Sequence, residues 1–187
     1  MTMLKLILLL VLAPLGMAAA STDCGPPSLP LNASFVCRDI LGTDLEDPCI
    51  RMMTWGGIDM SAPVPHEEGA IEYVILAAWF AVESLGVTRI TARNQRSHNA
   101  SLSGHEREAY EGCVKDYALA GSSMARVAAE ILPSCRFDGL RDEYIRVLVS
   151  IDRCTDRLPA KTPLHAMVVA DRFKAWLAYR VSVLIGL

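Results

Sequence analysis

The sequence predicts an all-α protein whose main body is an up-and-down four-helix bundle over residues 66–187. Three observations carry this. From residue 66 onward, apolar residues recur at three- and four-residue spacing through four long segments. The prolines of that region, Pro133, Pro159 and Pro163, fall between segments. No stretch shows sustained two-residue alternation bounded by Asn-Gly or Asp-Gly turns, so strands find no support.

Residues 1–20 read as a secretory signal rather than as part of the fold. Lys5 is followed by the apolar run Leu6 to Leu12, and Met17-Ala18-Ala19-Ala20 places small residues where signal peptidase cuts, before Ser21. The apolar run is short for a membrane span. Ser21 to Leu187 then has the size of one domain. Lys5 is one of the 18 basic residues, and none of the 21 acidic ones precedes Ser21, which leaves a net charge of −4. That balance offers no basic stripe for nucleic acid. No later segment is expected to span a membrane, the C-terminal apolar run being broken by Arg180.

Residues 21–65 form a region apart. Prolines at 26, 27, 30, 48, 63 and 65, with Gly25, Gly42, Gly56 and Gly57, leave room only for short helical turns. The first bundle segment runs over about 66–97, with Glu67 and Glu68 loading its first turn, where the helix dipole favours acids. Ile71, Val74, Ile75, Ala78, Val82 and Leu85 form its apolar stripe. The second runs over about 104–132, with Tyr110, Cys113, Val114, Tyr117, Met124, Val127, Ala128 and Ile131 on one face. The third, about 140–158, aligns Tyr144, Val147, Leu148, Ile151, Cys154 and Leu158. The fourth opens on Thr162-Pro163, a cap residue followed by proline at the first helical position, and aligns Val169, Phe173, Trp176, Leu177 and Leu184. Four amphipathic helices with short connections bury their stripes against one another as an up-and-down bundle.

All six cysteines follow the signal, an even count that fits disulfides in an oxidising compartment, and no C-x-x-C pair points to zinc. Cys113 and Cys154 lie on the apolar faces of adjacent antiparallel helices and are expected to pair, contributing about 4 kcal/mol in the chain-entropy model. Cys24 and Cys37 flank the proline-rich stretch and are natural partners. Cys49 and Cys135 are left either as a third bridge or as free thiols. The sequons at Asn32 and Asn99 are N-glycosylation acceptors expected of a secreted product.

The chain resembles the plant invertase and pectin methylesterase inhibitors. Phe35-Val36-Cys37-Arg38-Asp39-Ile40-Leu41 resembles the close of that family's N-terminal hairpin, with a leucine four residues after the cysteine. Tyr110-Glu111-Gly112-Cys113-Val114-Lys115-Asp116-Tyr117-Ala118-Leu119-Ala120 resembles its second bundle helix, and Cys154-Thr155-Asp156 the end of its third. The resemblance implies a small disulfide-closed helical hairpin and linker over 21–65, and one inhibitor-like domain over 21–187. It also implies a secreted, apoplastic protein that occludes the active site of a cell-wall carbohydrate-active enzyme. For invertase, it implies a basic and aromatic tip at Arg136 and Phe137. For pectin methylesterase, it implies an outer face of the second and third helices, drawing on Lys115, Asp116, Glu143 and Arg146. The Pro-Lys-Phe of invertase-directed members is replaced by Pro133-Ser134-Cys135-Arg136-Phe137, which puts pectin methylesterase ahead as the partner. The alternative is a secreted signalling or structural protein on the same bundle without inhibition.

Catalytic patterns are missing from the sequence. His66, His98, His105 and His165 are scattered, without metal-ligand spacing, and there is no G-x-S-x-G or glycine-rich phosphate loop. No enzyme activity, cofactor or metal is expected. His66 and His165 fall near helix starts and read as solvated or capping groups, and Glu67-Glu68 and Asp142-Glu143 as solvated first-turn charges. Tyr110, Tyr117, Tyr144 and Trp176 lie at core spacing, and Trp55 reads as packing between the N-terminal region and the bundle.

Overall fold

The computed structural model describes Cys24 and residues 37–38, 49–51, 53–54 and 69–187. The proposed signal at 1–20, Asn32, Trp55 and His66 lie outside the described residues.

Four long helices form the bundle: α1 (Gly69–His98), α2 (Gly104–Arg126), α3 (Leu140–Arg157) and α4 (Pro163–Leu184). A π-helical turn, Val127–Ile131, prolongs α2. Each boundary has a local cause. Ser103 opens α2 with a reciprocal capping box: its hydroxyl accepts from the Glu106 amide, and its own amide donates to Glu106 Oε2 at 2.8 Å. These bonds satisfy amides that an isolated helix start leaves open, and hold the Glu106 carboxyl below its ordinary range. Thr162 caps α4 by accepting from the His165 amide at 3.3 Å, with Pro163 just inside the helix. Gly139, at φ 79°, makes the left-handed turn that launches α3.

Helix α1 packs against α2 and α4, α2 against α3, and α3 against α4, which closes the up-and-down ring. Among the described residues there is no strand, and the molecule is an all-α bundle. The interior of α1 is built from small residues, Ala77, Ala78, Ala81 and Ala92, beside Val74 and Leu85. Facing helices contribute larger groups, including Tyr117, Met124, Tyr144, Ile151 and Leu177. Interdigitation of small with large side chains lets helix axes approach while the space stays filled.

Two expectations need correcting. Helix α1 is long and apolar enough, by length and composition, to cross a membrane. A core helix passes the same test, and α1 has Val74, Ala77, Ala78, Ala81 and Leu85 buried. The face of α4 is displaced in part: Leu177 is buried as expected, but Val169 is exposed, and the buried residues also include Leu164, Val168, Asp171, Ala175, Ala178 and Val181. A polar residue and two alanines occupy that face, so large apolar residues alone do not mark it.

Three disulfides are present. Cys113–Cys154 joins α2 to α3. The expected pairing of Cys24 with Cys37 is overturned, as is the alternative that left Cys49 and Cys135 to each other or free. Cys37 bonds to Cys49, 12 residues on, and Cys24 bonds to Cys135 in the α2–α3 loop. Residues 37–38 and 49–51 are helical, and the short bridge joins these two helical pieces. The long bridge ties Cys24 to the bundle end, where its sulfur lies 3.9 Å from the Leu132 carbonyl oxygen.

Candidate interaction face

The outer seam between α2 and α3 is fixed from within by charge as well as by sulfur. Asp116 on α2 is buried and pairs with Arg157 of α3, whose guanidinium lies over Gly112. A Cβ at position 112 would meet the Arg157 Cδ at 2.8 Å, so the glycine makes room for that ion pair. At the other end of the seam, buried Glu143 accepts from Arg126 of α2 at 2.7 Å and from Arg146 at 3.1 Å. A buried carboxylate needs such partners to offset its lost hydration.

These contacts revise the sequence reading of the face. Asp116 and Glu143 are not outward acids: both face the neighbouring helix and are consumed in interhelical pairs. Lys115 and Arg146 are exposed, as expected of contact residues. Lys115 pairs along the helix with Glu111 at 3.0 Å, and Arg96 of α1 reaches the same carboxylate at 3.4 Å. Both cations hold the Glu111 carboxyl below its ordinary range, the Lys115 hydrogen bond first.

The outer surface of the seam is therefore apolar at its centre and charged at its ends. Leu119 on α2 is 58% exposed, and Ile145 and Val149 on α3 are each 42% exposed. The antiparallel register that joins Cys113 to Cys154 sets Leu119 abreast of Val149, six residues further along one helix and five back along the other. The same register sets exposed Lys115 beside exposed Arg153 at one end, and places Arg126 and Arg146 at the other. Asp116 and Glu143 lie beneath this surface, while Glu111 and the exposed Glu130 pair along α2 with Lys115 and Arg126, so the ends of the face carry both signs of charge. Leu119, Ile145 and Val149 were absent from the residues singled out by sequence. Their signal was present: each is a large apolar residue off the core stripe of a well-phased helix.

The loop between α2 and α3 splits the other expected pair. Arg136 is exposed, but Phe137 is half-buried and packs against the core. Cys135, at φ 54°, and Gly139, at φ 79°, turn the chain twice in this loop, and the Cys24–Cys135 bridge pins it. Phe137 is thereby folded back, so Arg136 and Phe137 do not protrude together.

His98 and His105 are exposed, while His165 serves the α4 cap through its amide. Among the described residues no cluster of histidine, cysteine, aspartate or glutamate has the makings of a metal site. Tyr110, Tyr117 and Tyr144 are buried, and Trp176 is half-buried under the Arg180 guanidinium, 5.6 Å from the ring centroid.

A buried polar cluster that sequence reading missed lies across the bundle, beneath the α1–α4 seam. Asp171 of α4, 2% exposed, accepts from the Tyr117 hydroxyl of α2 at 3.0 Å and from the Ser84 hydroxyl of α1. Lys174 Nζ donates to Ser84 Oγ at 2.7 Å. Burial, followed by the Asp171 charge, pushes the Tyr117 hydroxyl well above its ordinary pKa.

No protein-family model matches the chain, and no curated protein sequence does. Among solved structures, the fold is similar to the crystal structure of a pectin methylesterase inhibitor from Arabidopsis thaliana. The TM-score is 0.55 at 15% identity, over 83% of this chain and 94% of that one, a likeness of fold.

Proposed function

We propose that this chain is a secreted, non-enzymatic inhibitor that docks on a cell-wall carbohydrate-active enzyme and occludes its active site. Pectin methylesterase is favoured over acid invertase. The carrying observation is the α2–α3 seam, an exposed apolar centre of Leu119, Ile145 and Val149 between charged ends, on a fold like that of a pectin methylesterase inhibitor. Interfaces of this type combine an apolar core with a polar rim in which arginine is over-represented. The Cys113–Cys154 bridge and the two buried ion pairs hold the face rigid before binding, which limits the entropy lost on association. The folding back of Phe137 weakens the case for an invertase tip and adds to that for the esterase.

Three disulfides support a mature protein made in an oxidising compartment, consistent with removal of residues 1–20 and residence in the apoplast. Asn99 of the second sequon stands in the α1–α2 loop, a position open to glycosylation, its side-chain oxygen accepting from the Ser101 amide at 3.1 Å. The deciding experiment titrates the oxidised protein against a plant pectin methylesterase and a plant acid invertase at acidic pH. Stoichiometric inhibition of the esterase alone is the expected result. Silence against both enzymes, from protein shown to be helical and fully oxidised, would favour a signalling or structural role instead.

A further inference from the structure

The α1–α4 seam, across the bundle from the proposed docking face, holds an open groove of about 420 Å³. That volume lies within the range of small-molecule sites. Phe80, Val87 and Met167 supply apolar flanks, and Ser84, Thr88 and Asp171 form its polar floor. Three groups there are left with unmet demands. The Thr88 hydroxyl, on a residue 1% exposed, has no hydrogen-bond partner, although buried hydroxyls almost always find one. Lys174 is half-buried and bonds only to the Ser84 hydroxyl, so its ammonium touches no carboxylate. Glu83, on the rim, has neither an ion pair nor a hydrogen bond among the described residues.

We propose that this groove binds a small zwitterion with an apolar body, of the class of a free α-amino acid with an aliphatic or aromatic side chain. The ligand carboxylate would bond to Lys174 Nζ and the Thr88 hydroxyl. Its ammonium would face Glu83, and its side chain would lie along Phe80, Val87 and Met167. Electrostatics select this class over its relatives. Glu83 and Asp171 outnumber Lys174, so a simple anion meets a net negative groove, whereas a simple amine meets the Lys174 ammonium. A zwitterion is neutral overall and answers both unpaired charges. An apolar helix from a partner would instead bury the Lys174 ammonium with only the Ser84 hydroxyl to offset its charge, at a cost in affinity.

The test is a titration of isotope-labelled, oxidised protein with L-leucine, followed by NMR. Binding is expected with a Kd on the order of 1 mM, the scale a ligand of this size reaches in an open site. Shifts are expected at Phe80, Thr88 and Met167. N-acetyl-L-leucine and L-leucinamide, each lacking one charge, are expected to bind about tenfold more weakly or worse, the loss of one charge-assisted hydrogen bond. Thr88→Val keeps the shape and removes only the unpaired hydroxyl, so that variant folds with unchanged or higher thermal stability and binds more weakly. Lys174→Met is expected to remove the preference for leucine over its amide. No shifts at these residues by roughly 10 mM leucine, far above the expected Kd, would overturn the proposal. So would equal binding by the amide and N-acetyl derivatives, or full binding by Thr88→Val.

Discussion

At the scale of single residues, Asp171 carries the most structural consequence. It is a buried carboxylate that holds hydroxyls from two other helices, so its loss strands the Tyr117 hydroxyl and leaves Ser84 with Lys174 alone. Asp171→Ala is expected to cost about 2–4 kcal/mol in urea unfolding, because each buried hydroxyl left unsatisfied costs about 1–3 kcal/mol. Tyr117→Phe removes one of those bonds and leaves the carboxylate with the other, so about 1 kcal/mol is expected. The buried tyrosines also govern the alkaline limit. Burial raises both the Tyr117 and Tyr144 hydroxyls above the ordinary value of 10.0. A folded-state pKa above the unfolded one gives a stability contribution that is complete below about pH 10 and lost as pH climbs toward the folded value. Ultraviolet titration should therefore show Tyr117 and Tyr144 ionising only together with loss of helical circular dichroism. Ionisation of all five tyrosines in a still-folded protein would contradict this reading of the core.

At the scale of elements, the three disulfides divide by access. The Cys37, Cys49, Cys113 and Cys154 side chains are fully buried, whereas Cys24 and Cys135 are half-buried. Thiol exchange needs an attacking thiolate to reach sulfur, so limited reduction should open Cys24–Cys135 first. Alkylation and peptide mass mapping after brief dithiothreitol treatment checks the order; labelling of Cys113 before Cys135 would reverse it. The helices themselves were legible in the sequence because periodicity, a cap and breakers agreed: Thr162-Pro163 opens α4, and Pro133 and Pro159 fall between helices. The start of α1 is drawn at 66 by sequence pattern, and its helix spans Gly69–His98. What escaped was whatever depends on a partner distant in sequence. Asp116 and Glu143 look like solvated charges until the facing Arg157 and Arg126 are placed. Asp171 hides the α4 stripe because a buried acid makes sense only beside Tyr117 and Ser84. The Cys113–Cys154 bridge was legible from the two apolar faces, but Cys24 with Cys37 failed for the same reason: both flank the proline-rich stretch, whereas Cys24 is bonded to Cys135 beyond the end of α2.

At the scale of the whole molecule, the distribution of charge separates two ways of docking. The protein is acidic in total, and the α2–α3 seam displays Lys115, Arg126, Arg146 and Arg153 around Leu119 and Val149, with Asp116 and Glu143 beneath and Glu111 and Glu130 paired to Lys115 and Arg126 at the surface. If that seam meets the target, the apolar centre should set the lifetime of the complex and the charged ends its rate of formation. Leu119→Asp combined with Val149→Asp should weaken esterase inhibition by 100-fold or more, about 2.7 kcal/mol, while leaving the helical signal unchanged, since both side chains already face solvent. Arg153→Ala should act differently. Arg153 has no carboxylate partner among the described residues, so its loss should slow association several-fold at low salt and change dissociation little. Association of the unaltered protein should likewise slow as salt rises from about 20 to about 200 mM, a range over which screening shortens the reach of surface charge. Arg136→Ala in the α2–α3 loop serves as the comparison, because that arginine is exposed but its neighbour Phe137 is packed against the core. Stopped-flow and inhibition measurements on these variants distinguish the faces. A large loss with Arg136→Ala and none with the double aspartate variant would move the docking site from the helix seam to the loop.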